Sequence, residues 1–284
     1  MNDIMTSYNY SIIVPYRDKY DLFKKAVDSI PDRDDIQIII VDNSLEPLSA
    51  DAIPVKEFAI VDYTTSSTTK GAGCARNVGL SHVRGRFTLF LDADDFFTNE
   101  AFLAFDGYLN DDYDIVFFNT NSMRLSDGKD SNRHIYYSNC ISEWITTRDE
   151  SRIRYRWAVP WAKLYRSSFV LDGKFQFEEK PVMNDAWFSL MAGHAAHKVY
   201  ADNAVVYVVT EAESGRSLTK TITRENSFLR FDTRIKINMF LKSIGRYDMR
   251  IRLLGTLRLT LKDFGIKEVF RYLRYAKENG IGVF

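Results

Sequence analysis

The sequence is poor in features that would each mark a class of protein. It has only 2 cysteines in 284 residues, Cys74 and Cys140, and their spacing is not that of a metal site. A disulfide framework therefore does not fit, and a reducing compartment does. No run approaches the roughly 20 apolar residues that span a bilayer, and the N-terminus lacks the basic region, apolar core and cleavage site of a secretory signal. We therefore expect a cytoplasmic protein.

The chain also lacks net charge, because 38 Lys and Arg balance 38 Asp and Glu. Without an overall basic field, we expect no nucleic-acid partner. The balance is uneven, since residues 224–284 contain 14 Lys and Arg against 6 Asp and Glu. This basic end is typical of a surface for an anionic membrane or a phosphate-bearing acceptor, and equally of a solvated helical face.

Short apolar runs alternate with helical periodicity in the first part of the chain. The runs are Ser11–Val14, Ile36–Val41, Phe58–Val61 and Phe87–Leu91. Helical spacing of apolar residues covers Tyr20–Ile30 and, less regularly, Ala75–Val83, and the polar segment Ser66–Gly73 is interpreted as a loop that enters the second helix. Strands that alternate with helices predict right-handed βαβ units, and thus an α/β fold with a mostly parallel sheet.

The second half is less regular and ends in helices. Strands are predicted at Ile115–Phe118 and Val205–Val209, a polar excursion at Ser122–Ser131, and a helix at Asp185–Ala195. From Arg224 onward the apolar residues follow helical spacing. There is no internal repeat, heptad pattern or low-complexity tract.

Acidic residues follow two of the predicted strands. The run that ends at Leu91 leads directly into Asp92, Asp94 and Asp95, and the run Ile36–Val41 leads into Asp42. Ligands of open α/β sheets bind at this edge, and hard divalent cations prefer oxygen ligands, so the acids predict a metal that holds a diphosphate. Asp42 could accept a hydrogen bond from a base or ribose; the alternative is a turn cap.

In order and spacing, four blocks resemble the inverting GT-A glycosyltransferases of family 2. They are Ser11–Pro15, Ile39–Ser44, Gly73–Leu80 and Phe90–Asp95, and two later blocks, Pro160–Arg166 and Asn184–Phe188, look like the "KLY" and "ED" segments of bacterial capsule and lipopolysaccharide transferases. The resemblance covers about residues 10–220. It implies a Rossmann-like GT-A domain over residues 1–222, with helices on both faces of the sheet. Its nucleotide-binding half would span about 10–112 and its acceptor-binding half about 113–222, followed by a basic helical extension over 223–284.

The resemblance implies a role for each matching position. Asp185 would be the catalytic base, and Asp92 and Asp94 would hold Mn²⁺ or Mg²⁺. Contacts to the nucleotide-sugar would come from Pro15, Tyr16, Arg17, Asp42, Asn43, Arg76, Asn77, Asp92, Ala93, Asp94, Arg216 and Ser217. Contacts to the acceptor would come from Trp161, Lys163, Asn184 and Trp187, although both tryptophans could equally be core aromatics and Lys163 a structural ion-pair donor.

The implied reaction is a single displacement. A hydroxyl of a saccharide, or of a polyprenyl-diphosphate-linked saccharide, would attack a UDP-sugar with inversion, in the synthesis of a surface polysaccharide. The C-terminal helices would hold the enzyme on the inner face of the cell membrane, or form a packing or homodimer element. No processive signature followed by membrane helices is present, which favours one sugar added per visit.

Two departures keep alternatives open. Asn184 replaces the usual Glu, which leaves room for a catalytically degenerate sugar-binding protein, and Asn43 replaces the second acid after Asp42, which weakens the preference for uridine. A nucleotidyltransferase of related fold is a further alternative. A haloacid-dehalogenase-type phosphatase fits less well, because its Asp-x-Asp would follow the first strand.

Overall fold

The computed structural model describes residues 8–67, 71–211 and 222–283, and its core is a mixed sheet of eight strands. The strands are β1 (Tyr8–Tyr16), β2 (Ile36–Asp42), β3 (Ile60–Thr65), β4 (Gly85–Phe90), β5 (Phe96–Phe97), β6 (Ile115–Arg124), β7 (Lys163–Arg166) and β8 (Val199–Glu211). The helices are α1 (Tyr20–Asp28), α2 (Gly71–Leu80), α3 (Ala101–Asp106), α4 (Ile135–Thr147), α5 (Ser151–Tyr155), α6 (Ser167–Asp172), α7 (Ala186–Ala195), α8 (Arg224–Ser243), α9 (Leu254–Phe264) and α10 (Ile266–Glu278).

The strand order is β3-β2-β1-β4-β7-β6-β8-β5. The first four strands of this order are mutually parallel, and β6 runs parallel to β8. The short strand β7 lies antiparallel between β4 and β6, and β5 pairs antiparallel with β8. The predicted α/β fold with a mostly parallel sheet is therefore confirmed.

The centre of the sheet is buried because its strands are almost wholly apolar. Every residue of β2 is buried, and so is β1 from Tyr10 to Tyr16. Strands covered on both faces by helices show such continuous apolar runs. Helix α1 contributes Phe23, Ala26 and Val27 to the core. This packing fixes the carboxyl ends of β1, β2 and β4 at one edge of the sheet.

Several boundaries differ from the sequence prediction. The third strand begins at Ile60 rather than Phe58, whose side chain is 60% exposed. Strand β6 continues to Arg124, into the predicted polar excursion, because its polar residues pair with the end of β8. Helix α2 begins at Gly71, inside the predicted loop. Strand β7 was not predicted, since four residues are too few to show a period.

The helical region predicted from periodicity after Arg224 is present as the three helices α8, α9 and α10, which pack together. Phe231 and Ile235 of α8 form a cluster with Leu257 of α9 and with Tyr272 and Ala276 of α10. Further along α8, Ile237 and Leu241 pack on Ala186 and Leu190 of α7. In the described part of the chain, no helix has the length and apolar character needed to cross a bilayer. The division of the chain at residue 222 stays a prediction.

Candidate active site

A cavity of about 360 Å³ opens beside the carboxyl ends of β1 and β4 and the N-terminus of α7. This is the edge of the sheet where the sequence placed its acids. Its lining includes most of the predicted site residues, namely Pro15, Arg17, Asn43, Arg76, Asp92, Ala93, Asp94, Trp161, Asn184 and Asp185. The structure thus brings together residues that are up to 170 positions apart in the sequence. Two other hollows of the surface contain none of them.

We call residues 92–95, which follow β4, the acidic turn, and strand β8 holds this turn in place. Asp95 is buried and accepts hydrogen bonds from the Thr210 amide at 2.7 Å and from the Tyr207 hydroxyl at 2.9 Å. The same hydroxyl accepts a bond from the Asp92 amide at 3.1 Å. All three acids line the cavity, but both carboxylate oxygens of Asp95 are already bonded to β8, which leaves Asp92 and Asp94 as the acids of this turn with room for a further ligand.

Arg76 joins the acidic turn to the segment before α7. Its guanidinium donates to Asp92 at 2.5 Å and to the side-chain oxygen of Asn184 at 3.0 Å, and it lies 5.3 Å from the centre of the Phe177 ring. Burial lowers the pKa of Arg76, but the charges of Asp92 and Asp185 outweigh it, so the pKa is raised. Arg76 is therefore a fixed cation, and its position within the site depends on its bonds to Asp92 and Asn184.

Among the three acids of the acidic turn, Asp94 has the most access to solvent. Its side chain is 46% exposed, and the nearest cation is the ammonium of Lys19 at 3.7 Å. Burial and the neighbouring Asp92 raise the pKa of Asp94, and Lys19 and Arg133 partly offset this. A raised pKa of this origin means that a further positive charge at Asp94 would be stabilised.

The oxygen ligands at the cavity fit a divalent cation whose remaining coordination positions are filled by water and substrate phosphates. No cluster of three or more His, Cys, Asp or Glu side chains suited to a metal occurs among the residues described. Mg²⁺ and Mn²⁺ are commonly bound through one or two carboxylates, with water and substrate phosphates filling the other positions. Asp94 can supply such a carboxylate, whereas Asp92 is already paired with Arg76.

Asp185 also lines the cavity, at the position just before α7. Its carboxylate makes no capping hydrogen bond to the helix, and so it is available to the cavity. Burial raises the pKa of Asp185; the charge of Arg76 lowers it and that of Asp92 raises it, with a net upward shift. A half-buried carboxylate with a raised pKa is a better proton acceptor than a solvated one.

Strained backbone adjoins three parts of the cavity wall. Among the described residues, five non-glycine positions have a left-handed backbone, and three of them are Asp18 (φ 53°), Ala162 (φ 54°) and Met183 (φ 51°). Each is next to a lining residue: Lys19, Trp161 and Asn184, respectively. Such conformations cost energy and cluster at functional sites, where the surroundings hold them.

The predicted donor residues at the last positions of β1 and β2, Tyr16 and Asp42, lie outside this lining. The carboxylate of Asp42 is buried and accepts bonds from the amides of Ser44 (2.8 Å) and Leu48 (2.9 Å) and from the hydroxyl of Tyr63 (2.8 Å). Asp42 therefore caps the turn that follows β2, and its contact with a nucleotide stays a prediction. The ring of Tyr16 is buried against Phe23, with 4.5 Å between ring centres.

Three further predicted residues are also not part of the lining. Asn77 forms two hydrogen bonds with the backbone of Phe177. Lys163 is 1% exposed and donates to the carbonyl of Trp157 at 3.2 Å. Burial holds its pKa well below the usual value for lysine. Trp187 contacts α8 instead of the cavity. Arg216 and Ser217, the remaining predicted donor contacts, lie outside the described residues.

The cavity also has lining residues that sequence reasoning missed. Lys19, Arg133 and the run Pro181–Met183 are the clearest. Arg133 donates to the carbonyl of Thr210 at 2.9 Å, beside the acidic turn. A signal existed for Lys19, which follows Arg17 after the first strand. Arg133 had none, because it comes from a segment with no recognisable pattern.

Comparison with known proteins gives a consistent picture. The profile of "Glycosyl transferase family 2" matches residues 11–170. The chain is 29% identical over 177 residues to "Putative glycosyltransferase EpsH" of Bacillus subtilis (strain 168), which covers 58% of this chain and 49% of that protein. It is 28% identical over 102 residues to the poly(ribitol-phosphate) beta-glucosyltransferase of Bacillus spizizenii, which covers 33% of this chain and 16% of that protein. The chain thus spans at most about half the length of these curated relatives.

Solved structures share the fold at low sequence identity. The crystal structure of S. aureus TarS 1-349 in complex with UDP-GlcNAc superposes with a TM-score of 0.69 at 17% identity, covering 95% of this chain and 81% of that one. The mannosyltransferase PcManGT from Pyrobaculum calidifontis, in complex with GDP-Man and Mn²⁺, gives a TM-score of 0.55 at 12% identity, covering 97% and 85% of the two chains. The predicted GT-A fold with C-terminal helices is confirmed.

Proposed function

The chain belongs to glycosyl transferase family 2, and we propose that it transfers a sugar from a nucleotide-sugar, specifically a UDP-sugar, to a hydroxyl of a saccharide or lipid-linked saccharide. The proposal places this reaction in the synthesis of a bacterial surface polysaccharide. Support comes from relatives named as glycosyltransferases and from neighbours bound to UDP-GlcNAc and to GDP-Man. The mixed nucleotide identity of these neighbours makes UDP the part of the proposal that needs the most direct test.

One observation carries the proposal. Asp94 and Asp185 line the same cavity, and Arg76 is bonded to a close neighbour of each, Asp92 and Asn184. A displacement at an anomeric carbon needs a cation to stabilise the leaving diphosphate and a base to accept the proton of the attacking hydroxyl. In the proposal, Asp94 holds the cation and Asp185 is the base, and both lie in one cleft.

On the acceptor side, Asp185 removes the proton. The acceptor oxygen forms its bond to the anomeric carbon while the hydroxyl proton passes to the carboxylate of Asp185, and the bond between that carbon and the diphosphate oxygen breaks. The electron pair of the broken bond leaves with the nucleoside diphosphate. A positioned base of this kind is worth about 10² to 10⁴ in rate, and attack from the face opposite the diphosphate inverts the configuration.

On the donor side, the chain supplies cations. Asp94 would hold Mn²⁺ or Mg²⁺, which when bound stabilises the charge of the diphosphate as a Lewis acid. Lys19, Arg17 and Arg133 also line the cavity and place positive charge where the diphosphate is expected. Arg76, held by Asp92 and Asn184, orients the acidic turn against the wall that carries the base.

The acceptor and its location are proposed from the surface of the C-terminal helices. Leu259 is 60% exposed and Phe270 is 62% exposed, and Arg258, Lys262 and Lys267 lie near them in the sequence. Apolar and basic side chains together suit an anionic membrane surface, where a polyprenyl-diphosphate-linked acceptor is held. We place the enzyme on the inner face of the cell membrane, with a homodimer as the alternative use of this surface.

Two assays test these proposals. Purified protein with Mn²⁺ is screened against a panel of nucleotide-sugars for thermal shift and for released nucleotide; a UDP-sugar should raise the melting temperature and yield UDP. Release of pyrophosphate from a nucleoside triphosphate and a sugar phosphate would instead identify a nucleotidyltransferase. Liposomes rich in anionic lipid should retain the protein at low salt and release it as salt is added; failure to bind at low salt points to the dimer.

A further inference from the structure

The segment between α6 and α7 carries the proposed base without regular secondary structure of its own. We call residues 177–185 the base loop; its last five residues line the cavity. Inside it, the Glu178 amide donates to the Asn184 carbonyl at 3.0 Å and the Lys180 amide donates to the Glu178 carbonyl at 3.0 Å. These two local bonds shape the loop but do not fix it relative to the sheet. Its position therefore depends on the elements that contact it.

Helix α2 holds one side of the base loop. The amide of Phe177 donates to the side chain of Asn77 at 2.8 Å, and Asn77 donates back to the Phe177 carbonyl at 3.0 Å. A Cβ at Gly73 would lie 2.1 Å from the Glu178 carbonyl oxygen. The loop backbone thus packs directly on the helix, at a distance that no side chain would permit.

Helix α8 holds the other side through charge. The carboxylate of Glu178 forms ion pairs with Lys236 of α8 at 2.8 Å and with Lys180 at 2.5 Å. The ammonium of Lys180 also donates to the hydroxyl of Thr233, again on α8, at 2.5 Å. Burial raises the pKa of Glu178, but the two lysines outweigh it and lower the pKa, so the carboxylate stays charged. The Glu178 side chain is 22% exposed, which limits screening by solvent.

The same helix also contacts the residues that follow the base. The Lys236 ammonium lies 3.9 Å from the ring centre of Trp187, two residues after Asp185. Ile237 and Leu241 pack on the first half of α7. Asp185 is therefore flanked on both sides in the sequence by residues that α8 holds.

We propose that α8 is a positioning element for Asp185. The Lys236–Glu178 ion pair and the Lys180–Thr233 bond hold the base loop between α8 and α2, so that the Asp185 carboxylate stays at the cavity wall. This inference rests on the proposed function of Asp185. A helix that touches neither substrate would thus set the geometry of proton removal, and the C-terminal helices are part of the catalytic unit.

The test removes the charge of Lys236. Lys236→Met keeps an apolar stem over Trp187 but loses the ion pair, and kcat should fall about tenfold or more, because misplacement by about 1 Å can cost 10²-fold. The KM for the donor should change little, since the acidic turn is untouched, and Lys236→Arg should restore kcat. The matched control is Lys242→Met on the same helix, whose ammonium bonds the Gly280 carbonyl at 2.9 Å, away from the base loop; its kcat should equal that of the wild type.

A second measurement needs no activity. Hydrogen exchange of the Glu178 and Lys180 amides should be faster in Lys236→Met than in the wild type and unchanged in Lys242→Met. Should Lys236→Met not fold, Glu178→Gln receives the same two measurements. Unchanged kcat in a folded variant, unchanged exchange, or equal effects in the control would each overturn the proposal. A wild type without transferase activity would refute the proposed function, and exchange alone would then decide whether α8 holds the loop.

Discussion

Arg76 and Asn184 are 108 residues apart in the sequence and are joined by a hydrogen bond of 3.0 Å. The bond links the helix after β3 to the loop before α7, and the other arm of the same guanidinium holds Asp92. A Glu at position 184 would add a negative charge to this arrangement, next to Asp185. The amide of Asn184 keeps the contact with Arg76 and leaves Asp185 as the carboxylate of that wall. The substitution of Asn for the usual Glu is therefore compatible with a working base.

Asp185→Asn should abolish transfer while leaving the donor site intact. The amide cannot accept the proton of the attacking hydroxyl, so kcat should fall by about 10² to 10⁴. Released nucleotide measures the rate, and titration calorimetry with the donor measures binding, which should stay near the wild-type value. Near-normal turnover by the folded variant would remove Asp185 from the mechanism.

Activity should decline on the acid side at a pH above the usual range of an aspartate. The pKa of Asp185 is raised by burial and by Asp92 despite the opposing charge of Arg76, and the base works only when deprotonated. As the pH falls through this raised pKa, kcat should fall in proportion to the deprotonated fraction. The profile of log kcat at saturating donor and Mn²⁺ measures it. An acid limb at about pH 4, where free aspartate titrates, would contradict the shift.

Asp94→Asn should make the protein more stable at neutral pH but insensitive to Mn²⁺. The pKa of Asp94 is raised in the folded state, so the native state binds more protons than the unfolded state just above the unfolded value, and stability falls as pH rises through that window. The variant should therefore unfold at a higher temperature than the wild type near pH 7, and the two should converge in acid.

The Mn²⁺ response separates this effect from general stabilisation. Wild type with donor should show a further rise in melting temperature on addition of Mn²⁺, and Asp94→Asn should not. An equal response to Mn²⁺ in both proteins would place the metal elsewhere.

Gly73→Ala should disturb the base loop from the α2 side. Its Cβ would meet the Glu178 carbonyl at 2.1 Å, a backbone atom that cannot rotate away, so we expect a loss of about 1–3 kcal/mol together with reduced kcat. Gly255→Ala is the control, because it lies in α9 with nothing within 4 Å of a Cβ. That change should stabilise the protein by about 0.5–1 kcal/mol. Thermal unfolding and kcat are measured for both; a Gly73→Ala protein as stable and active as the control would refute the close packing.

The sequence predicted the sheet well because its strands are continuous apolar runs. It also placed Asp92, Asp94 and Asp185 in one cleft, which the cavity supports. It could not reveal which polar side chains form hydrogen bonds within the fold and which face the cavity. Asp42 and Asp92 look alike as acids after a strand, yet Asp42 is buried by loop amides and Asp92 faces a cavity. That difference depends on the path of the loops.

Pairings across long sequence separations were also hidden. Trp187 follows Asp185 closely enough to suggest an acceptor platform, but its ring packs on Phe240 and Lys236 of a helix that the motifs do not reach. Strand β7 is recognisable only once β4 and β6 flank it. Both are tertiary contacts without a local signature.

The path of the chain after β4 has one more consequence. Strand β4 belongs to the parallel group at one end of the sheet, but β5 pairs with β8 at the far end. The residues from Asp92 to Asp95 thus connect two groups of strands, and their bonds to Tyr207 and Thr210 attach them to the second group. A rotation of one group relative to the other would displace these residues, so a change in the packing of β8 would alter the position of the Asp94 carboxylate in the cavity.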